Sequence, residues 1–138
     1  MQGFDLSATA GVEQAQDAGV TVHVEDASGK ALFIDGDEGR PVTITVAGVY
    51  SRRYRRAEEE VSRRVAKSRG KISGRQAVIE KAAACTLSWD GIFHHRKAVD
   101  CTAENAERLY RADPSVLDQV AAAQHDAEGF TRRPSTSS

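Results

Sequence analysis

The sequence lacks the features that would direct the chain to a membrane or a secretory route. No apolar run approaches the roughly 18 residues that a membrane-spanning helix needs. The first residues, MQGFDLSATAGVEQ, have neither the basic start nor the apolar middle of a signal peptide. Two cysteines occur, Cys85 and Cys101, without a CxxC pair, so two free thiols are expected rather than a disulfide or a metal site. We therefore expect a protein that stays in the cytoplasm in which it is made.

A dominant charge and catalytic motifs are also missing. The formal net charge is -1 with 28% charged and 40% hydrophobic residues, which is typical of an ordinary globular domain. There is no glycine-rich phosphate loop, no nucleophile elbow and no HExxH motif. The stretch 35–39 contains three acidic residues and two glycines, but it lacks the ligand spacing and terminal glutamate of an EF-hand. It is therefore interpreted as a solvated hairpin loop. The sequence predicts no enzyme activity, no cofactor and no metal.

Alternation of apolar and polar residues predicts strands early in the chain. Val20, Val22 and Val24 alternate with polar residues, and residues 31–34 and 42–46 predict a second and a third strand. Their connections are too short for parallel crossovers. The three strands are therefore expected to form an antiparallel meander whose apolar face packs against helices.

The stretch that leads to the single tryptophan predicts a central helix. Ser73 and Gln76 form a capping box that starts a helix at Gly74, and Gly91 stands where the helix would end. The segment is apolar on nearly every side up to Trp89, which is typical of a helix inside a bundle. Trp89 is then a core residue or, alternatively, an anchor for a partner, because Trp combines a large apolar area with one N–H donor.

Residues 50–69 predict an amphipathic helix with an arginine-rich start. Apolar residues recur at helical spacing at Tyr50, Tyr54, Ala57, Val61 and Val65. The first turns carry Arg52, Arg53, Arg55 and Arg56. Glu59 and Glu60 each lie four residues from an arginine on both sides, which favours a solvated face. A protein-binding surface is the second interpretation. A nucleic-acid interface, in which arginines bind phosphates and tyrosines stack on bases, is the least favoured.

Two further helices are predicted near the end of the chain. Thr102 is an N-cap for residues 103–112, and Asp113 with Pro114 starts a last helix. Phe130 follows Gly129 and is expected to fold back onto that helix. Between the central helix and Thr102, residues 92–101 have no steady period, and the adjacent His94 and His95 are interpreted as surface residues on a loop. His23 is likewise expected to be exposed.

These elements predict an α+β fold with a small N-terminal antiparallel β-meander followed by a bundle of about four helices. Residues 1–19 are expected to be a flexible N-terminal arm, residues 20–130 a single domain, and residues 131–138 a disordered polar tail. The meander has two edges with little charge on its strands to prevent pairing. A homo-oligomer is therefore expected.

The order of three sequence segments carries a resemblance to a known family. They are TITVAGVYSRRYRRA, CTLSWDGI and TAENAERLYRADPSVLDQVAAAQHDAEGF, followed by a Ser-rich end. The specific features are the Trp89-Asp90-Gly91 run after an Ala-rich helix and the spacing from Thr102 to Phe130. In this order, residues 20–130 resemble tail assembly chaperones of long-tailed double-stranded DNA bacteriophages. The loop after Gly91 departs from the pattern, because it carries His94, His95, Arg96 and Lys97 where a second glycine and a proline-like turn are expected.

The resemblance implies a non-catalytic protein that binds the tape measure protein, keeps that long apolar helix soluble and recruits tail tube subunits in the cytoplasm of the bacterial host. A structural phage tail or head-tail connector protein is the alternative, and a small nucleic-acid-binding regulator using the Arg-rich helix is the third interpretation. No membrane partner is expected. The candidate partner-binding residues are Tyr50, Arg52, Arg53, Tyr54, Arg55, Arg56, Trp89 and Phe130.

Overall fold

The computed structural model describes residues 3–35, 39–126 and 130, which form helices interspersed with short strands. The helices are α1 (Ala10–Ala18), α2 (Arg52–Lys67), α3 (Gly74–Ala84), α4 (Ala103–Ala112) and α5 (Pro114–His125). The strands are β1 (Val20–His23), β2 (Thr43–Val46), β3 (Thr86–Asp90), β4 (Phe93–His94) and β5 (Lys97–Ala98). The predicted α+β class is confirmed. In the described part of the chain, no helix is long and apolar enough to cross a membrane.

The main sheet has the order β1-β2-β3, and both strand pairs are antiparallel. Val22 pairs with Ile44, which pairs with Trp89 on the other side. Ile44 and Val46 are fully buried, because this face of the sheet packs against the helices and α5 contacts both β1 and β2. The opposite face is polar, and the hydroxyls of Thr21 and Thr45 lie 2.8 Å apart there. His23 is exposed on that polar side, as predicted.

The predicted second strand is wrong, because residues 31–34 make only isolated bridges, in which Ala31 pairs with Glu25 and Phe33 pairs with Pro41. The predicted third strand is present as β2. The third strand of the sheet is instead β3, in the stretch predicted to be the end of the central helix. The helix stops at Ala84, and Cys85 caps it. From there the pairing with β2 imposes a period of two, because the edge of β2 offers hydrogen bonds that only an extended chain can use.

The three predicted helix starts in the second half of the chain are confirmed. Ser73 accepts a hydrogen bond from the Gln76 N–H at 3.0 Å, and Thr102 accepts one from the Asn105 N–H at 3.1 Å. Asp113 accepts one from the Ser115 N–H at 3.0 Å. Each side chain thus satisfies an N–H that has no partner inside its helix.

Helix α3 lies in the core, as predicted. Ile79, Ala82 and Ala83 are buried, and α3 packs against both α2 and α4. Small side chains allow these neighbours to approach closely. An ion pair between exposed Arg64 of α2 and buried Glu80 of α3 adds a polar link between the two helices.

Helix α1 corrects the expectation that residues 1–19 form a flexible arm. A 3-10 turn at Leu6–Thr9 leads into α1, whose Gln16 is only 2% exposed. The Gln16 carbonyl accepts a hydrogen bond from the Gly48 N–H at 3.1 Å, and its side-chain Oε1 accepts one from the Tyr50 N–H at 3.0 Å. Polar contacts, and not an apolar stripe, hold this helix, which is why the hydrophobic pattern did not predict it.

The last helix returns to the same segment. The Gln124 side chain donates to the Ala47 carbonyl at 3.0 Å, and the Val49 N–H donates to the Gln124 carbonyl at 3.1 Å. Phe130 is 7% exposed and lies against Gly48. The predicted helix end at Gly129 and the predicted tail at residues 131–138 lie outside the described residues.

The predicted irregular loop after β3 is wrong, because it contains a tight β-hairpin. In β4 and β5, Phe93 pairs with Ala98 and His94 pairs with Lys97. The two turn residues between them, His95 and Arg96, have φ values of 51° and 68°. Positive φ at both central residues is the signature of a type I′ turn, whose twist matches that of the strands. His94 and His95 are exposed, as predicted.

Candidate partner-binding surface

The start of α2 is fixed by Ser51. Its hydroxyl accepts a hydrogen bond from the Tyr54 N–H at 3.0 Å and donates to the Gly48 carbonyl at 2.6 Å. Ser51 is almost fully buried, so the first turn of α2 is fastened to the segment that leaves β2. Tyr50 was predicted to belong to the apolar face of the helix, but it precedes the helix and is 61% exposed. Ala57 and Val61 form the buried side of α2 as predicted.

Glu13 of α1 binds two of the four arginines. Its Oε1 lies 2.7 Å from Nε of Arg52, and its Oε2 lies 3.1 Å from a terminal nitrogen of Arg55. Asp17, one turn later, accepts a hydrogen bond from the Arg52 N–H at 2.8 Å. The hydrogen bond from Arg52 lowers the pKa of Glu13 below its ordinary value. Arg52 and Arg55 therefore hold α1 on α2.

The other two arginines face the end of α3. Arg53 donates to the carbonyl of Ala84 at 3.3 Å, where the C-terminus of the helix carries partial negative charge. Arg56 forms no ion pair with any residue that the structure describes. A depression of about 530 Å³ lies here, and it is lined by Asp17, Arg52, Arg53, Arg56, Ala57 and Ala84. We call it the basic depression. Three guanidinium groups and one carboxylate give it a net positive charge.

A second depression, of about 390 Å³, is lined in part by apolar and aromatic side chains. It is lined by Val12, Glu13, Val49, Tyr50, Ser51, Tyr54, Arg55 and Glu58, and we call it the apolar depression. Val12 is 42% exposed, and Tyr54 is half-buried. Burial is the main cause that raises the pKa of Tyr54, and Glu58 contributes to it. The lining therefore combines apolar and aromatic side chains with the charged side chains of Glu13, Arg55 and Glu58.

The remaining two candidate residues are placed elsewhere. Trp89 lies on β3, where it packs against the core and donates its indole N–H to the Val99 carbonyl at 2.7 Å. Phe130 is buried beside Gly48 and is not presented to a partner in this conformation. The structure therefore brings together Tyr50, Tyr54 and the arginines but not Trp89, and it places Phe130 beneath the segment that enters α2.

Sequence reasoning missed the contribution of α1 to this surface. Val12 lines the apolar depression, and Glu13 and Asp17 position the arginines. The spacing of Glu13 and Asp17 by four residues places both carboxylates on one helix face, which is a signal that the sequence did contain. Without an apolar stripe, however, the hydrophobic pattern did not predict a helix in this segment.

Ligand chemistry at other places in the fold is limited. Within residues 3–35, 39–126 and 130, no group of three or more His, Cys, Asp or Glu side chains could hold a metal ion. Burial raises the pKa of the Cys85 thiol to about 11, so this thiol is neutral at physiological pH.

The chain matches no protein-family model, no curated protein and no solved structure.

Proposed function

We propose that this chain is a non-catalytic tail assembly chaperone of a long-tailed double-stranded DNA bacteriophage. In this role it binds an apolar helix of the tape measure protein, keeps it soluble and helps to recruit tail tube subunits in the cytoplasm of the bacterial host. The class of protein rests on the resemblance of residues 20–130 to that family. The observation that carries the binding role is the apolar depression between α1 and α2.

The composition of the apolar depression suits a helix that must be held and later released. Tyr50 and Val12 keep apolar area in water, which favours a contact that covers them. Tyrosine and arginine are enriched at positions that dominate binding energy. The depression is small, so one copy binds weakly, and several copies along a long partner hold it through multivalency.

Variants that test the apolar depression must leave α1 in place on α2. Substituting the four arginines together would also remove the Glu13 contacts that hold α1 on α2. The sharper variants are Val12→Ser and Tyr50→Ser, alone and combined, because both side chains are exposed. Val78→Ser is the matched control, since Val78 is a helical valine with 44% exposure that does not line the apolar depression.

The readout is the amount of tape measure protein that stays soluble when it is co-expressed with each variant. The double variant should leave less of it soluble, while Val78→Ser should behave like the parent chain. Equal solubility with the double variant, or an equal loss with Val78→Ser, would place the site elsewhere. Circular dichroism and thermal unfolding confirm that each variant is folded.

The same proposal separates this chain from a structural tail or head-tail connector protein. A chaperone is absent from finished particles, so mass spectrometry of purified virions should not find this chain. Its presence in stoichiometric amounts would favour the structural alternative.

Self-association of the chain is a further expectation. The outer strands of the sheet are β1 and β3, and light scattering at high protein concentration would test whether two copies pair along them.

A further inference from the structure

The hairpin formed by β4 and β5 is an exposed ribbon on a fixed base. All six residues 93–98 are exposed. At the base, the Val99 N–H donates to the Ile92 carbonyl at 2.9 Å, and the Val99 carbonyl accepts the indole N–H of Trp89 at 2.7 Å. Trp89 itself pairs with Ile44 in the main sheet. The ribbon is therefore held by the core while its own side chains remain accessible.

The turn of this hairpin carries residues that its backbone does not favour. A type I′ turn requires positive φ at both central positions, for which Asn-Gly and Gly-Gly are the least strained choices. Here His95 and Arg96 occupy those positions. Non-glycine residues in this region cost conformational energy and cluster at functional sites. This cost makes the tip a candidate for a functional role.

The chemistry of the tip suits an anionic ligand that also offers flat apolar faces. His94, His95, Arg96 and Lys97 are four consecutive nitrogen-bearing side chains, and the imidazole ring centroids of His94 and His95 lie 4.1 Å apart. Among the described residues, neither Arg96 nor Lys97 forms an ion pair. The tip therefore offers two permanent positive charges next to two imidazoles.

One side of the hairpin combines an aromatic ring with a guanidinium group. Phe93, Arg96 and Asp35 line a shallow depression of about 460 Å³, and Phe93 is 51% exposed. An exposed aromatic ring is a platform on which a base can stack, and a nearby guanidinium can bind the adjoining phosphate. The carboxylate of Asp35 can accept a hydrogen bond from a base amino group. An acidic peptide could bind Arg96 but would leave the Phe93 ring without a flat partner, so the depression fits a nucleotide better than an acidic peptide.

From these contacts we infer that residues 93–98 form a binding site for single-stranded nucleic acid. A base stacks on Phe93, and Arg96 and Lys97 bind the neighbouring phosphates. Single strands are the form that fits, because only unpaired bases expose a whole face to an aromatic side chain. The site is separate from the surface formed by α1 and α2, and it does not depend on the proposed chaperone role.

The test is fluorescence anisotropy with a fluorescein-labelled oligothymidylate, titrated with the full chain at low and at higher salt. Phe93→Ala should weaken binding by about tenfold through loss of one stacking contact. Arg96→Gly should also weaken binding and should lower the salt-dependence slope by about 1. Glycine relieves the strain of the positive φ, so this variant is expected to be at least as stable as the parent. A loss of affinity therefore cannot be attributed to unfolding.

Arg75→Gln on α3 is the matched control, because Arg75 is an exposed arginine outside the hairpin that lines neither the basic nor the apolar depression. It should leave the affinity for the oligothymidylate unchanged. Four results would each overturn the inference: no binding at low salt, no effect of either hairpin substitution, a larger effect of Arg75→Gln than of Arg96→Gly, or competition by polyglutamate as strong as that by unlabelled oligothymidylate.

Discussion

Gly48→Ala tests how α1 is fastened to the domain. Gly48 lies between β2 and α2, and it is not among the glycines with positive φ, so alanine is acceptable to the backbone. The space around it is the obstacle. An added Cβ would overlap the side-chain amide of Gln16 and would lie 2.7 Å from Cζ of Phe130. Gln16 is almost fully buried, so moving its side chain away from the added Cβ would disturb the packing around it.

The expected cost follows from these two contacts. If Gln16 moves, its Oε1 no longer accepts the hydrogen bond from the Tyr50 N–H, and a lost buried hydrogen bond costs about 1 to 3 kcal/mol. Overpacking against Phe130 costs about 1 to 3 kcal/mol more. The free energy of unfolding should fall by about 2 to 6 kcal/mol, which lowers the melting temperature by on the order of 10 °C.

Urea unfolding and hydrogen exchange of the α1 amides measure the effect. Gly11→Ala is the control, because Gly11 also lies in α1 and a Cβ there would meet nothing within 4 Å. That change should leave stability equal or raise it by up to about 1 kcal/mol through helix propensity. If Gly48→Ala keeps its stability within about 0.5 kcal/mol of the parent and α1 stays protected, the described docking of α1 is refuted.

Three further outcomes are expected. The hydrogen bond from Arg52 lowers the pKa of Glu13 below 4.5, so this pairing stabilises the fold at neutral pH and is lost as the pH falls through the lowered pKa. The difference in thermal stability between the parent and Glu13→Gln should therefore vanish in acid, and a difference that stays constant with pH would contradict this. Burial raises the pKa of Cys85 to about 11, so a thiol reagent should label half-buried Cys101 first and Cys85 only on unfolding; equal rates would contradict this. Ile44→Ala should cost about 2 to 5 kcal/mol by calorimetry, since Ile44 is fully buried between two strands; a loss below about 1 kcal/mol would mean that this part of the core collapses around the cavity.

Local signals in the sequence predicted what local chemistry decides. Ser73, Thr102 and Asp113 each start a helix because their side chains bind N–H groups two or three residues later, and that interaction needs no distant partner. The alternating valines of β1 and the Thr-Ile-Thr-Val run of β2 were likewise sufficient, since their period of two fits one buried face.

Distant contacts decided the rest. By its composition, the end of the apolar stretch at Thr86–Asp90 could form either a buried helix or a strand. Pairing with β2 selects the strand, and the paired residues Trp89 and Ile44 are more than 40 positions apart in the sequence. Helix α1 depends on a buried glutamine whose partners are Gly48 and Tyr50. For this reason the arginines of the candidate surface were predicted, but the Glu13 that orders them was not.

The segment of residues 47–50 has a consequence for synthesis on the ribosome. Gln16 binds it from the first helix, and Gln124 binds it from the last. The Ala47 carbonyl and the Val49 N–H cannot reach their partner until residue 124 has emerged from the exit tunnel. The contacts of residues 47–50 with Gln16 can therefore form before those with Gln124, and the hydrogen bonds of this segment are complete only after the last helix has been made.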